Sequence, residues 1–160
     1  MLPDAARTVF LWYFVSHIPI TMCVDAQAVL PAAWFPSALK DLLAWHVSVN
    51  NDMLMGTLPL WFRAVCCCEV ALQLPFFFYA VRALVNRDNG ARVGMVVYGA
   101  HVATTLVPIL AVFADAGTAF DSEGQRWALI AIYLPYLLVP LALVYYFGRE
   151  AEPFGRAKRS

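Results

Sequence analysis

Four long apolar stretches dominate this sequence and restrict the folds open to it. They cover about residues 8–30, 58–85, 93–114 and 127–148, and short polar connections separate the last three. A helix needs about 20 mostly apolar residues to cross a bilayer. Each stretch meets that length, and spans joined by short connections pack as antiparallel neighbours. We therefore expect an all-α membrane protein built as a four-transmembrane-helix bundle.

The composition fits a membrane protein and excludes several other classes. Hydrophobic residues make up 62% of the chain and charged residues 14%, against about 45–50% and about 25% in a typical soluble domain. This excludes a disordered chain, and a formal net charge of zero gives no field that favours nucleic acid. The 160 residues have room for one domain, 1–160, with a tail at 149–160. The four cysteines, three of them consecutive, lack the spacing of a metal site or a disulfide framework, and we expect neither metal nor cofactor.

Residues 31–57, between the first two stretches, have a different character. Leucines and a tryptophan recur at roughly helical spacing from 39 to 45, while charged residues and the polar cluster 50–52 interrupt the pattern. The segment is too polar to span a bilayer and too apolar to be a free loop. We predict a short interfacial helical segment, lying at the membrane surface or folded over the mouth of the bundle as a lid.

The distribution of basic residues predicts the orientation of the bundle. With four spans, both termini and the turn after the second span share one side. That side holds Arg7, Arg82, Arg87, Arg92, Arg149, Arg156, Lys158 and Arg159. The other side holds Lys40, Arg63 and Arg126. Since basic loops stay in the cytoplasm, we expect both termini to be cytoplasmic.

Two carboxyl groups, Asp25 and Glu69, lie within the apolar stretches. Ionisable groups inside a membrane are costly, so each is a candidate functional residue. If the two approach each other, they cannot both ionise cheaply, and the pair is expected to share a proton. Such a site could attract an organic cation, hydrogen-bond a lone hydroxyl on a flat apolar molecule, or shuttle a proton. A purely structural pairing is the alternative.

Other polar side chains fall on matching helix faces. Glu69 and Gln73 are four residues apart, as are His101 and Thr105, and Tyr133 and Tyr136 are three apart. These groups come from several spans, which favours one shared cavity.

Three further polar residues have more modest predicted roles. His17 and His101 are expected to support the cavity by packing and hydrogen bonding rather than by catalysis. Asp52 is expected to be a helix cap or a structural hydrogen-bonding group, not a ligand contact.

Several sequence blocks match a known family in order and position. They are the runs at 16–21 and 27–31 with Asp25 between them, 61–62, 68–69, 73–77, His101 with 104–110, and 133–138 with Pro140. The chain thereby resembles the sigma-2 receptor family, part of the EXPERA group that also contains the emopamil-binding sterol isomerase. The blocks fall in all four spans, so the resemblance covers nearly the whole chain.

The resemblance implies a location, ligands and a partner. It implies a multi-pass protein of the endoplasmic reticulum membrane with cytoplasmic termini, and an occluded pocket for sterols, oxysterols or cationic amphiphiles. It also implies a role in cholesterol homeostasis through the Niemann–Pick type C transporter. A homodimer is a further expectation.

The resemblance also assigns residues. It implies that Asp25 pairs with a ligand amine and that a protonated Glu69 hydrogen-bonds to Asp25. Asp52 falls where the family carries an aspartate that holds the pocket structure. The pocket-lining positions are Gln73, Thr105, Ile132, Tyr133 and Tyr136.

Three functions are compatible with these features. A non-enzymatic lipid receptor is favoured, with the acidic pair holding one polar group of the ligand. A sterol Δ8–Δ7 isomerase, which would use Asp25 and Glu69 for proton transfer, is the alternative. A purely scaffolding role is least favoured, because it assigns no function to the two carboxyl groups inside the membrane.

Overall fold

The computed structural model describes residues 1–155 except 116, 118 and 119. Within this part of the chain there is no β-strand. Four helical stretches are long and apolar enough to cross a membrane, and we call them spans 1 to 4: Asp4–Ala28, Leu60–Asn86, Asn89–Ala114 and Glu123–Arg149. The predicted all-α bundle of four membrane-spanning helices is confirmed. The basic tail residues Arg156, Lys158 and Arg159 lie outside the described residues.

Span 1 is a single α-helix followed by a tighter turn. Helix α1 covers Asp4–Cys23, and a 3₁₀ turn covers Asp25–Ala28. The sequence predicts an apolar span that continues to residue 30, so the α-helix ends earlier than expected. Gln27 accounts for the end, because its Nε2 donates to the carbonyl of Cys23 at 2.6 Å and satisfies a terminal backbone group.

Two helices fill the connection between spans 1 and 2, as the sequence predicts for this segment. After a 3₁₀ turn at Ala32–Trp34, helix α2 covers Ser37–Asn50 and helix α3 covers Met53–Thr57. Asn51 joins them in the left-handed conformation, with φ of 50°. Asparagine tolerates this conformation better than most residues, and the sharp turn sends α3 back toward the bundle.

Span 2 contains an irregular turn at its centre. Helix α4 covers Leu60–Cys68, a π-helical turn covers Glu69–Gln73, and helix α5 covers Leu74–Asn86. The amide of Leu74 donates to the carbonyl of Glu69, five residues earlier. Pro75 follows directly and has no N–H to donate, which favours an interruption of the regular ladder here. Single π turns are frequent at functional sites.

Spans 3 and 4 pack closely against each other. A 3₁₀ turn at Asn89–Ala91 leads into helix α6, Arg92–Ala114. Span 4 divides at Pro135 into α7, Glu123–Tyr133, and α8, Pro135–Arg149. Helix α7 begins before residue 127, the predicted start of the span, because the Ser122 side chain caps it by accepting from the Gln125 amide at 3.2 Å.

The two ends of the described chain lie side by side. The amide of Leu2 donates to the carbonyl of Pro153 at 2.7 Å, and the amino group of Met1 lies 3.2 Å from the Glu150 carboxylate. The buried core above this end is largely aromatic and includes Phe10, Phe14, Phe77 and Phe147. The bundle therefore has one tightly packed end, where the termini meet, and a more open opposite end, which α2 covers.

Candidate functional site

A cavity of about 290 Å³ lies between the four spans at the end covered by α2. Its lining includes every residue that the sequence assigns to ligand contact: Asp25, Glu69, Gln73, Thr105, Ile132, Tyr133 and Tyr136. All four spans and α2 contribute side chains, and most of these are apolar. The shared cavity thus brings together residues that lie more than 100 positions apart in the chain.

Glu69 is the centre of a compact polar cluster on one wall. Thr21 Oγ1 donates to Glu69 Oε1 at 2.7 Å, and His17 Nε2 lies 3.2 Å from the same oxygen. Thr21 is fully buried and His17 is 5% exposed. His17 and Thr21 of span 1 are therefore directed at the π turn of span 2, where a carboxylate needs donors.

Asp25 completes this cluster at the surface of the cavity. One ligand atom each of His17, Asp25 and Glu69 lies within 4.8 Å of the others, and Asp25 is within hydrogen-bonding reach of both Glu69 and Thr21. Asp25 is only half-buried because it borders the cavity. A cationic group in the cavity could reach Asp25 while Glu69 keeps its protein donors.

The three side chains also have the chemistry to hold a metal ion. Imidazole nitrogen and carboxylate oxygen are common zinc ligands, at about 2.0–2.2 Å from the metal. The sequence alone gives no metal-binding motif, because these residues lie on different elements.

Aromatic contacts fix the His17 ring. It stacks on Phe77 with ring centroids 4.6 Å apart, and its centroid lies 4.7 Å from that of Tyr136. Its Nδ1 atom is buried without a hydrogen-bond partner among the described residues. The ring is thus held by packing, with Nε2 as its one polar contact to Glu69.

A second polar cluster lies where α2, α3 and α7 meet. Asp52 is fully buried, and Tyr133 Oη donates to its Oδ2 at 2.6 Å. Its Oδ1 accepts from the Met55 amide at 3.1 Å and caps α3. His46 Nε2 lies 3.2 Å from Oδ2. His46 and Tyr133 border the cavity, whereas Asp52 lies behind them.

His101 is not brought to this cavity. It lies on α6 one turn from Thr105, but it is not among the lining residues. Its Nε2 is buried without a hydrogen-bond partner among the described residues. The four-residue spacing of His101 and Thr105 places them on the same side of the helix. It does not determine whether both side chains reach the cavity.

Some cavity residues were not found by reasoning from the sequence. They are His46, Cys66, Leu42 and Trp45, together with Thr21, which does not line the cavity but bonds to Glu69. A signal for Thr21 exists, because it is four residues from both His17 and Asp25 and therefore shares their helix face. No comparable signal places His46, which depends on how α2 folds back over the bundle.

Several residues that line the cavity keep considerable accessible surface. Ile20 of span 1 is 36% exposed and Ile132 of span 4 is 40% exposed, and both line the cavity. On α2, Trp45 is 60% exposed. The cavity is therefore bordered by partly exposed side chains from span 1, span 4 and α2.

Comparison with known proteins identifies the family. The profile of EXPERA (EXPanded EBP superfamily) matches residues 38–147, well over half of the chain. The chain belongs to the EXPERA family. The matched range includes Glu69 and the second polar cluster, while His17 and Asp25 precede it.

Individual relatives are similar to this chain over most of its length. Sigma intracellular receptor 2 of Xenopus tropicalis is 42% identical over 143 residues, covering 85% of this chain and 84% of the relative. The human protein of the same name is 38% identical over 148 residues, with 86% and 84% covered. Efficient mitochondria targeting-associated protein 19 of Saccharomyces cerevisiae is 31% identical over 150 residues, with 85% and 93% covered. The resemblance to the sigma-2 receptor family is confirmed, and this EXPERA chain is a multi-pass membrane protein.

Proposed function

We propose that this protein is a membrane receptor that binds sterols and cationic amphiphiles in the cavity between its four spans. The observation that carries the proposal is the His17–Thr21–Asp25–Glu69 cluster at the wall of an otherwise apolar cavity. Ligand pockets typically combine apolar walls with a few convergent polar groups, in volumes of about 300–1,000 Å³. Relatives named as receptors support binding rather than catalysis as the main activity.

In this proposal the two carboxyls have different tasks. Glu69 accepts from Thr21 and His17 and is held in one orientation. Asp25 borders the cavity and pairs with the amine of a ligand, while Tyr136 and the other aromatic walls contact its apolar body. A neutral sterol places its hydroxyl at the same position, where it donates to one carboxyl oxygen.

Saturable binding of a radiolabelled cationic amphiphile tests the proposal. Asp25→Asn keeps the size of the side chain and removes its charge, so we expect binding of the amine to fall at least tenfold, the loss of an ion pair in a low-dielectric site. Asp41→Asn is the matched control, because Asp41 is exposed on α2 and does not line the cavity. Unchanged affinity in folded Asp25→Asn would contradict the proposal.

The proposed setting is the endoplasmic reticulum membrane, with both termini in the cytoplasm and a role in sterol homeostasis. The excess of basic residues on the side of the termini supports this orientation. A Niemann–Pick type C transporter as partner and a homodimer are parts of the same proposal.

A sterol Δ8–Δ7 isomerase is the second candidate. It is favoured by the proximity of three proton-carrying groups, since moving a double bond requires protonation of one carbon and deprotonation of another. Purified protein incubated with a Δ8-sterol would then yield the Δ7 product, and Glu69→Gln would abolish the product. Absence of product from protein that binds amphiphiles would exclude this candidate.

A further inference from the structure

Helix α2 covers the cavity while burying little of its own surface. None of its residues is fully buried. Leu43 and Val47 are half-buried against the core, and Leu42, Trp45 and His46 line the cavity. Segments with little buried apolar surface open at low free-energy cost. The position of α2 therefore depends on its polar contacts with the rest of the protein as well as on this limited packing.

Among the described residues, three side chains fasten α2 by hydrogen bonds to or from the elements beside it. Gln27, in the turn after α1, donates from Nε2 to the carbonyl of Leu39 at 3.0 Å. Gln125 of α7 donates from Nε2 to the carbonyl of Val49, also at 3.0 Å. The contact between them is that of His46 with the Asp52 carboxylate.

The His46 contact differs from the other two because its partner is fully buried and shared. Asp52 joins α3 to α7 through its bonds with the Met55 amide and the Tyr133 hydroxyl. His46 adds α2 to this junction. Hydrogen bonds to a charged group contribute more than neutral ones, so this contact is the strongest single fastening.

The orientation of the His46 ring is set by a second contact. The Asn50 side-chain amide nitrogen lies 3.1 Å from His46 Nδ1 and can only donate to it. Nδ1 is thereby an acceptor, and Nε2 carries the proton that is donated to Asp52 at 3.2 Å.

From these contacts we infer that the His46–Asp52 hydrogen bond is a latch that holds α2 over the cavity. Release of the latch lets α2 lift and opens the cavity to water-soluble molecules. His46 is a positioning residue that acts through Asp52. The inference rests on the cavity proposed above as the ligand site, and its test uses no ligand.

Cys66 provides a direct measure of opening. It is a free thiol, 3% exposed, and it lines the cavity under α2. In a full-length protein with Cys23, Cys67 and Cys68 replaced by alanine, a permanently charged, water-soluble methanethiosulfonate modifies Cys66 when the cavity opens. Mass spectrometry of the mixed disulfide gives the rate.

We expect His46→Phe to react about tenfold faster than the parent, the factor for a lost hydrogen bond to a charged group. His46→Gln keeps an N–H donor of similar reach, and its rate should stay within about twofold of the parent. Ser48→Ala is the control on the same helix, because Ser48 is exposed and does not line the cavity. A parental rate in His46→Phe, or equal acceleration in His46→Gln, would overturn the latch.

A second cysteine separates opening of the cavity from general loosening. Ala80 is fully buried in the core and does not line the cavity, so Ala80→Cys in the cysteine-free protein should stay unreactive with His46→Phe. If the cysteine at position 80 becomes reactive, Gln125→Leu is measured in place of His46→Phe, since Gln125 fastens α2 without lining the cavity. Faster Cys66 modification with silent Ala80→Cys then supports the latch, and no acceleration overturns it.

Different experimental results would contradict the latch and the proposed receptor function. Amphiphile binding with Cys66 reactivity unaffected by His46→Phe contradicts the latch alone. Opening that responds to His46 in a protein that binds no amphiphile contradicts the receptor function alone.

Discussion

The hydroxyl group of Thr21 contributes to the stability of the folded protein through a buried hydrogen bond. It is fully buried and donates to Glu69 at 2.7 Å, across 48 residues of sequence. Removing a donor from a buried carboxyl costs about 1–3 kcal/mol, and without Thr21 the Glu69 oxygen keeps only the longer contact with His17 at 3.2 Å. Valine has nearly the same shape, so the substitution changes polarity and little else.

We expect Thr21→Val to lower the free energy of unfolding by about 1–3 kcal/mol in mixed detergent micelles. Thr104→Val is the control, since Thr104 is exposed and donates only to the carbonyl of Ala100 within its own helix. Its effect should stay within about 0.5 kcal/mol. Equal stability of the two variants would show that the Thr21–Glu69 bond contributes nothing.

At the scale of single residues, the sequence predicts the wall with the acids better than the junction at Asp52. His17 lies on α1 and Asp25 in the 3₁₀ turn that follows it, about two helical turns further along the chain, so helical periodicity predicts that both face the same side of span 1. The approach of His46 to Asp52 depends on the left-handed turn at Asn51, and nothing in the helical periodicity of α2 signals that turn. The role of Asp52 as a cap follows from its residue type, but its bond to Tyr133 crosses 81 positions and has no local signal.

Helices α6 and α8 approach each other closely at Gly99. A Cβ atom at Gly99 would lie 2.6 Å from the carbonyl oxygen of Pro140 and 2.9 Å from a methyl group of Val144. Backbone cannot give way as a side-chain end can, so any larger residue at this position forces the two spans apart. Small residues allow such close approach in membrane bundles.

We therefore expect Gly99→Ala to destabilise the protein by about 1–3 kcal/mol through overpacking. Gly148→Ala is the matched control on α8, where an added Cβ meets nothing within 4 Å. Since alanine favours helix over glycine by about 1 kcal/mol, the control should be neutral or slightly more stable. Thermal unfolding of both variants in the same detergent measures the contrast, and equal midpoints would contradict it.

Hydropathy predicts where the spans lie but not how each is interrupted. The start of α6 at Arg92 agrees closely with the predicted 93. The change from α-helix to 3₁₀ turn after Cys23 and the π turn at Glu69–Gln73 leave the apolar pattern intact. Such features depend on side-chain bonds and packing between helices, which a one-dimensional pattern does not contain.

The described part of the molecule has four spans, and its two ends lie side by side. Leu2 bonds to Pro153, so both ends must lie on the same side of the membrane. The connection between α6 and α7 lies at the opposite end of the bundle. Membrane-impermeant labelling can therefore test the orientation with three single cysteines.

In sealed microsomes, Ala5→Cys and Ala151→Cys in a cysteine-free background should react with an impermeant maleimide. Both positions are exposed, as is position 121. Asp121→Cys should react only after the vesicles are permeabilised, because the proposed orientation places the basic ends of the chain in the cytoplasm. The reverse pattern would invert the bundle, and labelling of only one terminus would contradict the four-span topology.

The apolar lining of the cavity, which includes the partly exposed Ile20 and Ile132, affects how affinity should be expressed for this protein. Ligands that fit an apolar cavity dissolve in hydrocarbon far more readily than in buffer. A titration plotted against the total ligand concentration measures partition of the ligand into the bilayer together with its binding to the protein. Extra lipid at constant protein then moves the apparent midpoint although no contact has changed, so potencies compare fairly only as mole fractions in the bilayer.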